Sequence, residues 1–131
     1  KLLRLGCNVV YSSDSHMQTI IACGSTKGCV MVAISHSGSS KDVVEAARLW
    51  KSGGGKLITI TNIGRSPLSK LADISLVTAS KETAYKLSAL SSRSAQIAII
   101  DAIYTLIAIE HRDEIVQRFM QIDKYLREKK Y

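Results

Sequence analysis

Two rhythms of apolar and polar positions run along this chain. The first is a set of four short runs, residues 8–12 (NVVYS), 29–34 (CVMVAI), 57–61 (LITIT) and 74–78 (ISLVT), in which apolar, β-branched or Thr residues follow one another almost without a break. Strands covered on both faces read this way, whereas half-exposed strands alternate. The second rhythm is helical. Val43, Val44, Ala47 and Trp50 recur at three- and four-residue intervals, with Lys41, Arg48 and Lys51 spread between them. Ser39 and Ser40 suit the N-cap of that helix, Asp42 places a carboxylate in its first turn, and Gly53, Gly54 and Gly55 end it. Residues 15–23 and 67–72 predict shorter helices, the second opened by Ser66 ahead of Pro67.

Beyond the last run the pattern is helical throughout. Residues 83–110 carry Leu87, Leu90, Ser94, Ile97, Asp101 and Tyr104 on successive turns, and the second half is apolar around almost its whole circumference. Such a helix must be covered on several sides, by its own domain or by another subunit, and a dimer is the expectation. A final helix over 112–130 has Ile115, Phe119, Ile122 and Leu126 on one stripe and ends in Lys and Arg. Strands alternating with helices predict βαβ units, hence an α/β fold with a doubly wound parallel sheet in three layers, α-β-α.

At 131 residues the chain fits one domain with one core, and 46% hydrophobic with 22% charged residues is an ordinary globular mixture. Lys and Arg number 18 against 11 Asp and Glu, a net +7 that invites an anionic partner, nucleic acid first. The chain opens at Lys1 and runs at once into Leu2, Leu3 and Leu5, which reads as the interior of a longer protein. Cys7, Cys23 and Cys29 show no CxxC spacing and fit reduced thiols of a cytoplasmic protein. No secretory signal is legible. The greasiest stretch, 95–109, is interrupted by Gln96, Asp101 and Thr105 and falls short of the roughly 20 residues that span a bilayer, so no membrane helix is expected.

The chemistry concentrates in Ser35-His36-Ser37-Gly38-Ser39-Ser40, between a predicted strand and a helix start. Ligands of doubly wound sheets bind at the carboxyl ends of strands, and a helix start offers unpaired N–H groups and the positive end of a dipole. An anion belongs there. Gly38 lets the backbone approach it, and four hydroxyls donate hydrogen bonds without adding charge. A plain serine-rich turn capping a helix is the alternative. No GKS or GKT follows, no GxGxxG and no GxSxG are present, so nucleotide binding and serine nucleophilic catalysis lack support. His16, His36 and His111 share no metal-ligand spacing, and no metal or other cofactor is expected.

The loop resembles the S-x-S-G-x-[ST] phosphosugar motif of the sugar isomerase (SIS) domain. Ile60-Thr61-Asn62, Ser66-Pro67-Leu68 and Ala72-Asp73 continue that pattern, and the likeness runs from about Lys1 to Ile109. Asp14-Ser15-His16-Met17-Gln18 and Ser91-Ser92-Arg93-Ser94-Ala95-Gln96 with Ile100-Asp101 are similar to the RpiR-type bacterial transcription regulators, which join a helix-turn-helix domain to an SIS effector domain. The resemblance implies a flavodoxin-like SIS fold in which Ser35, Ser37 and Ser40 grip the phosphate of a sugar phosphate or amino-sugar phosphate, with the backbone N–H of His36, Gly38 or Ser39 assisting. His36 stands at the variable position of the motif, where its side chain either touches the ligand or is an exposed loop residue.

In SIS enzymes a Glu near the start of the long helix shuttles the isomerisation proton. Arg93 stands at that position here, and a guanidinium binds a carboxylate or phosphate but serves as no base. The resemblance therefore implies a sensor without catalytic residues, its alternative being a sugar phosphate aldose-ketose isomerase of the same fold with Glu82 as base. Glu82 also reads as a helix-start carboxylate, and Asp14 and His16 as capping and packing residues. The family pattern begins with a strand and a G-x-G-x-S turn in the middle of a sheet ordered 2-1-3-4-5. Neither is found here. Residues 1–5 would be the tail of the first crossover helix and 8–12 the second strand, so residues 1–131 are expected to form one SIS domain lacking its first strand and its helix-turn-helix neighbour. DNA would be reached only through that neighbour, and partners are the effector and further copies in a homodimer or higher homo-oligomer.

Overall fold

The computed structural model describes residues 1–80, 90–127 and 129. They form two compact units, residues 11–98 and a second made of 1–10 with 99–131. The first unit holds the sheet. Three strands, β1 (Val30–Ile34), β2 (Lys56–Asn62) and β3 (Ile74–Thr78), lie in the order β1-β2-β3, all parallel. Ala33 pairs with Thr59 and Thr59 with Ser75 across the two ladders.

Helices α1 (Ser15–Cys23) and α2 (Lys41–Ser52) pack on one face of this sheet. Val44 and Ala47 of α2 close on Ala33, Leu57 and Leu68, while Ala46 and Trp50 meet Ala22 of α1. The helical spacing read from the sequence therefore points at this face. Asp14 caps α1 through Met17 N–H at 2.9 Å. Three bonds pin the far end of α2. Trp50 Nε1 donates to Lys56 O at 2.9 Å, Ser25 Oγ donates to Trp50 O at 2.7 Å, and Gly53 N–H donates to Leu49 O at 3.2 Å. Gly55 sits so close to Trp50 and Ser25 that an added Cβ would overlap both side chains.

A carboxylate gathers the amino end of the sheet. Asp73 accepts from Lys51 Nζ and from Leu57 N–H, each at 2.7 Å, and its own N–H donates to Leu57 O at 2.8 Å. Lys51 first, then the Leu57 N–H, hold its carboxyl down at about 2, below the ordinary range, because both favour the ionised form.

Two expected elements are not formed. Residues 8–12 are not a strand, and Val10 and Tyr11 are exposed at 69% and 84%. Their only ladder partner in the expected order would be a strand beside β1, and among the described residues β1 pairs with β2 alone. An extended segment with no neighbour has nothing to bond. For the same reason β1 is not an interior strand: Val30, Val32 and Ile34 alternate outward and stay exposed, although Ile60 on β2 is fully buried. Residues 67–71 form a turn rather than a helix. Lys70 N–H reaches Ser66 O, but Ser66 and Ser69 bond each other's hydroxyls and backbone, and the chain must reach Asp73 at once.

In the second unit a 3₁₀ turn, Leu2–Leu5, packs on α4 (Arg112–Arg127). Leu5 and Ile115 are buried, and the Arg4 guanidinium lies 5.1 Å from the centre of the Phe119 ring. Helix α3 (Leu90–Glu110) runs from one unit into the other, and Lys1 pairs with its Asp101. Over Ser91–Glu110 it is long and apolar enough to cross a membrane by length and composition, which the shorter 95–109 run is not. Interface helices of soluble proteins meet the same test. The ion-paired Asp101 near its middle would be costly in lipid.

Candidate functional site

The Ser35–Ser40 loop leaves the carboxyl end of β1 and enters α2. Ser35 N–H donates to Ile60 O at 3.1 Å, extending the ladder by one bond, and Asn62 N–H donates to His36 O at 2.9 Å. The chain then turns tightly. Gly38 N–H donates to both Ser35 O (3.1 Å) and Ser35 Oγ (3.2 Å), and Ser39 N–H donates to Ser37 Oγ at 3.2 Å. Gly38 has φ +60°, and an added Cβ would stand 2.6 Å from Ser66 Cβ and 3.2 Å from Thr61 Cγ2. Both the conformation and the space call for glycine. Gly38 O in turn accepts from Leu68 N–H at 3.0 Å, fastening this loop to the one after β2.

Ser40 occupies the N-cap position of α2, but its hydroxyl makes no cap; it meets Ser35 Oγ at 3.2 Å. The N–H groups of the first turn are thus left without a side-chain cap at the mouth of the loop, where an anion is favoured. Ser35 is buried, and Ser37, Ser39 and Ser40 are exposed.

An open cleft of about 280 Å³ lies between this loop and the turn after β2, lined by His36, Ser37, Asn62, Ile63, Gly64, Arg65 and Ser66. It sits at the carboxyl ends of two parallel strands, as a doubly wound fold requires. Asn62 is a fixed wall: its amide bonds Ser80 O and Ser80 N–H, both at 3.1 Å. Of the six loop residues singled out in the sequence, His36 and Ser37 reach the cleft, whereas Ser35, Gly38, Ser39 and Ser40 build the turn behind them. The N–H groups of Gly38 and Ser39, expected to assist a ligand, are engaged within that turn.

Arg93 is exposed on the first turns of α3, and among the described residues no hydrogen bond or ion pair joins it to the loop. Glu82 lies outside the described residues. Asp14 caps α1 and His16 is exposed on it. Cys7, Cys23 and Cys29 are free thiols, and no group of three His, Cys, Asp or Glu is placed to share a metal among the described residues. The sequence reading missed the wall formed by Ile63, Gly64 and Arg65. Its signal was a Gly between the carboxyl end of a strand and Ser66-Pro67, a position where a loop borders a ligand.

The model of the SIS domain matches residues 2–106. The chain belongs to the SIS domain family. SIS relatives at 36% identity include uncharacterized HTH-type transcriptional regulators of Caldanaerobacter subterraneus subsp. tengcongensis and of Clostridium perfringens, aligned over 89% and 90% of this chain. The chain spans 42% of the length of each. Among solved structures, the Vibrio vulnificus NanR protein complexed with ManNAc-6P superposes with a TM-score of 0.83 at 28% identity, covering 95% of this chain and 48% of that one. The sugar isomerase domain of an RpiR transcription factor from Sphaerobacter thermophilus gives 0.76 at 21% identity, over 94% of this chain and 67% of that one, a likeness of fold.

Proposed function

We propose that this SIS domain is the phosphosugar-sensing, dimerising effector part of a cytoplasmic RpiR-type transcription regulator, and that a sugar phosphate or amino-sugar phosphate binds at the Ser35–Ser40 loop. The observation that carries the reading is the loop itself: an uncapped helix start and a cleft-facing Ser37 at the carboxyl end of β1. The ManNAc-6P complex of the NanR neighbour supports the ligand class, and the regulator relatives support the role. Arg93, in place of a proton-shuttling Glu, favours sensing over catalysis. Occupancy of the cleft would shift the dimer toward the arrangement that binds the ligand more tightly, and with it the spacing of DNA-binding domains elsewhere in the protein.

Thermal-shift screening of sugar phosphates on the intact protein tests this. A ligand at a hundredfold its Kd stabilises by about 2.7 kcal/mol, a readable rise in Tm. The matching sugar phosphate is expected to stabilise wild type and to lose that effect in Ser35→Ala and Ser37→Ala. If no sugar phosphate raises Tm, or both variants respond as wild type does, the loop is not the site. Conversion of an aldose phosphate to its ketose, abolished by Glu82→Gln, would instead establish the isomerase.

A further inference from the structure

We propose that Arg65 is the charge contact for the ligand's phosphate, and so the residue that makes this cleft select a dianionic sugar phosphate over the uncharged sugar; the proposal rests on the sugar-phosphate reading above. Most polar groups of the loop and its neighbours are already spoken for. Gly38 and Ser39 N–H are engaged in the turn, Ser35 and Ser40 share a hydrogen bond, Ser66 Oγ is paired with Ser69 Oγ at 3.1 Å, and the Asn62 amide is taken by Ser80. What the loop offers is chiefly the Ser37 hydroxyl and the helix start. Hydroxyls are neutral and bond a sugar's oxygens as readily as a phosphate's.

Arg65 is different in kind. It lines the same cleft as Ser37, it is exposed, and among the described residues it makes no ion pair. No Asp or Glu is among the lining residues described. Three of the acids described in this unit are occupied elsewhere, Asp14 capping α1, Glu45 facing Lys41 along α2 and Asp73 held by Lys51 and Lys56 at the opposite end of the sheet, and Asp42 stands in the first turn of α2, outside the cleft lining. A permanent cation beside hydroxyls, with no carboxylate among the described residues of the lining, is matched to an anion that arrives from solution. A guanidinium forks onto two phosphate oxygens at once, and such charge-assisted pairs are about twice as strong as neutral hydrogen bonds.

Isothermal titration of the intact protein with ManNAc-6P, with inorganic phosphate and with unphosphorylated ManNAc decides the matter. Arg65→Gln is expected to raise the Kd for the phosphorylated probes about tenfold or more and to flatten their dependence on salt, leaving the unphosphorylated sugar unaffected. Arg65→Lys, which keeps the charge but not the fork, is expected to lose less. Lys70→Gln removes an equal charge from an exposed position outside the cleft lining and is expected to stay within about twofold of wild type, which separates a contact from net charge. Equal Tm for wild type and Arg65→Gln without ligand shows that the fold is intact. Binding by Arg65→Gln within about twofold of wild type, or a loss no larger than that of Lys70→Gln, overturns the proposal. Where the thermal-shift screen selects another sugar phosphate, that compound and its unphosphorylated sugar replace the ManNAc pair, and failure of wild type to bind any sugar phosphate of the screen overturns the sugar-phosphate reading and this proposal with it, an outcome visible before any variant is made.

Discussion

Six consecutive residues from Ser35 to Ser40 share one motif but divide into two kinds of work. Ser35 is buried and spends its hydroxyl on Ser40 and on Gly38 N–H, so it shapes the turn. Ser37 faces the cleft. Gly38 joins the two loops, since its carbonyl receives Leu68 N–H and its missing Cβ leaves room for Ser66. Gly38→Ala should therefore cost both left-handed backbone strain and overpacking against Ser66, together about 2 kcal/mol or more. Denaturant unfolding of the variant measures it, and a loss under about 0.5 kcal/mol would mean that Ser66 yields without effort.

At the scale of elements, β2 is the hub. Leu57, Thr59, Ile60 and Thr61 are essentially inaccessible, and both neighbouring strands are registered on this one. Asp73 locks its amino end to α2 and β3. That lock is pH-dependent, with a definite sign. The carboxyl titrates at about 2 in the fold and near 4 in an unfolded chain, so ionisation favours the folded state. Its stabilisation is complete above about pH 5 and fades as pH falls from 4 toward 2. Asp73→Asn should be less stable than wild type at pH 6, with the gap shrinking to well under half by pH 2.5. Urea titrations across that range are the check, and a constant gap would show that the carboxylate's charge is irrelevant.

For the whole molecule, the apolar side chains that α3 leaves exposed stand out: Ile97, Leu106 and Ile109 are exposed at 60%, 66% and 67%. An apolar helix in that condition calls for another surface, which the dimer proposed above would supply through a self-complementary interface. Leu106→Lys places two like charges across such an interface and should raise the dimer dissociation constant at least about tenfold while leaving the sheet unit folded. Sedimentation velocity against concentration tests this; an unchanged association state would remove α3 from the interface. The net +7 finds no single explanation in the cleft, where Arg65 is the one guanidinium among the described lining residues, and most of the surplus is spread over residues 1–80, with 9 basic against 4 acidic side chains.

Local order was written in the amino acids themselves. Residues 15–23 and 41–52 became helices because their periodicity and terminating glycines agree, the first also capped by Asp14, and three β-branched runs became parallel strands because nothing in them competes with that state. The fourth run, 8–12, has the same composition and forms no strand, since a strand exists only beside a partner and propensity does not supply one. Residues 67–71 lost their helix to Ser66–Ser69 bonds that depend on where Gly38 and Asp73 lie. The Ser35–Ser40 loop was legible as a candidate site because its chemistry is contiguous. Arg65 was not, because it enters the cleft only when β1 and β2 lie side by side and bring their carboxyl ends together, a relation between distant residues that a linear pattern does not carry.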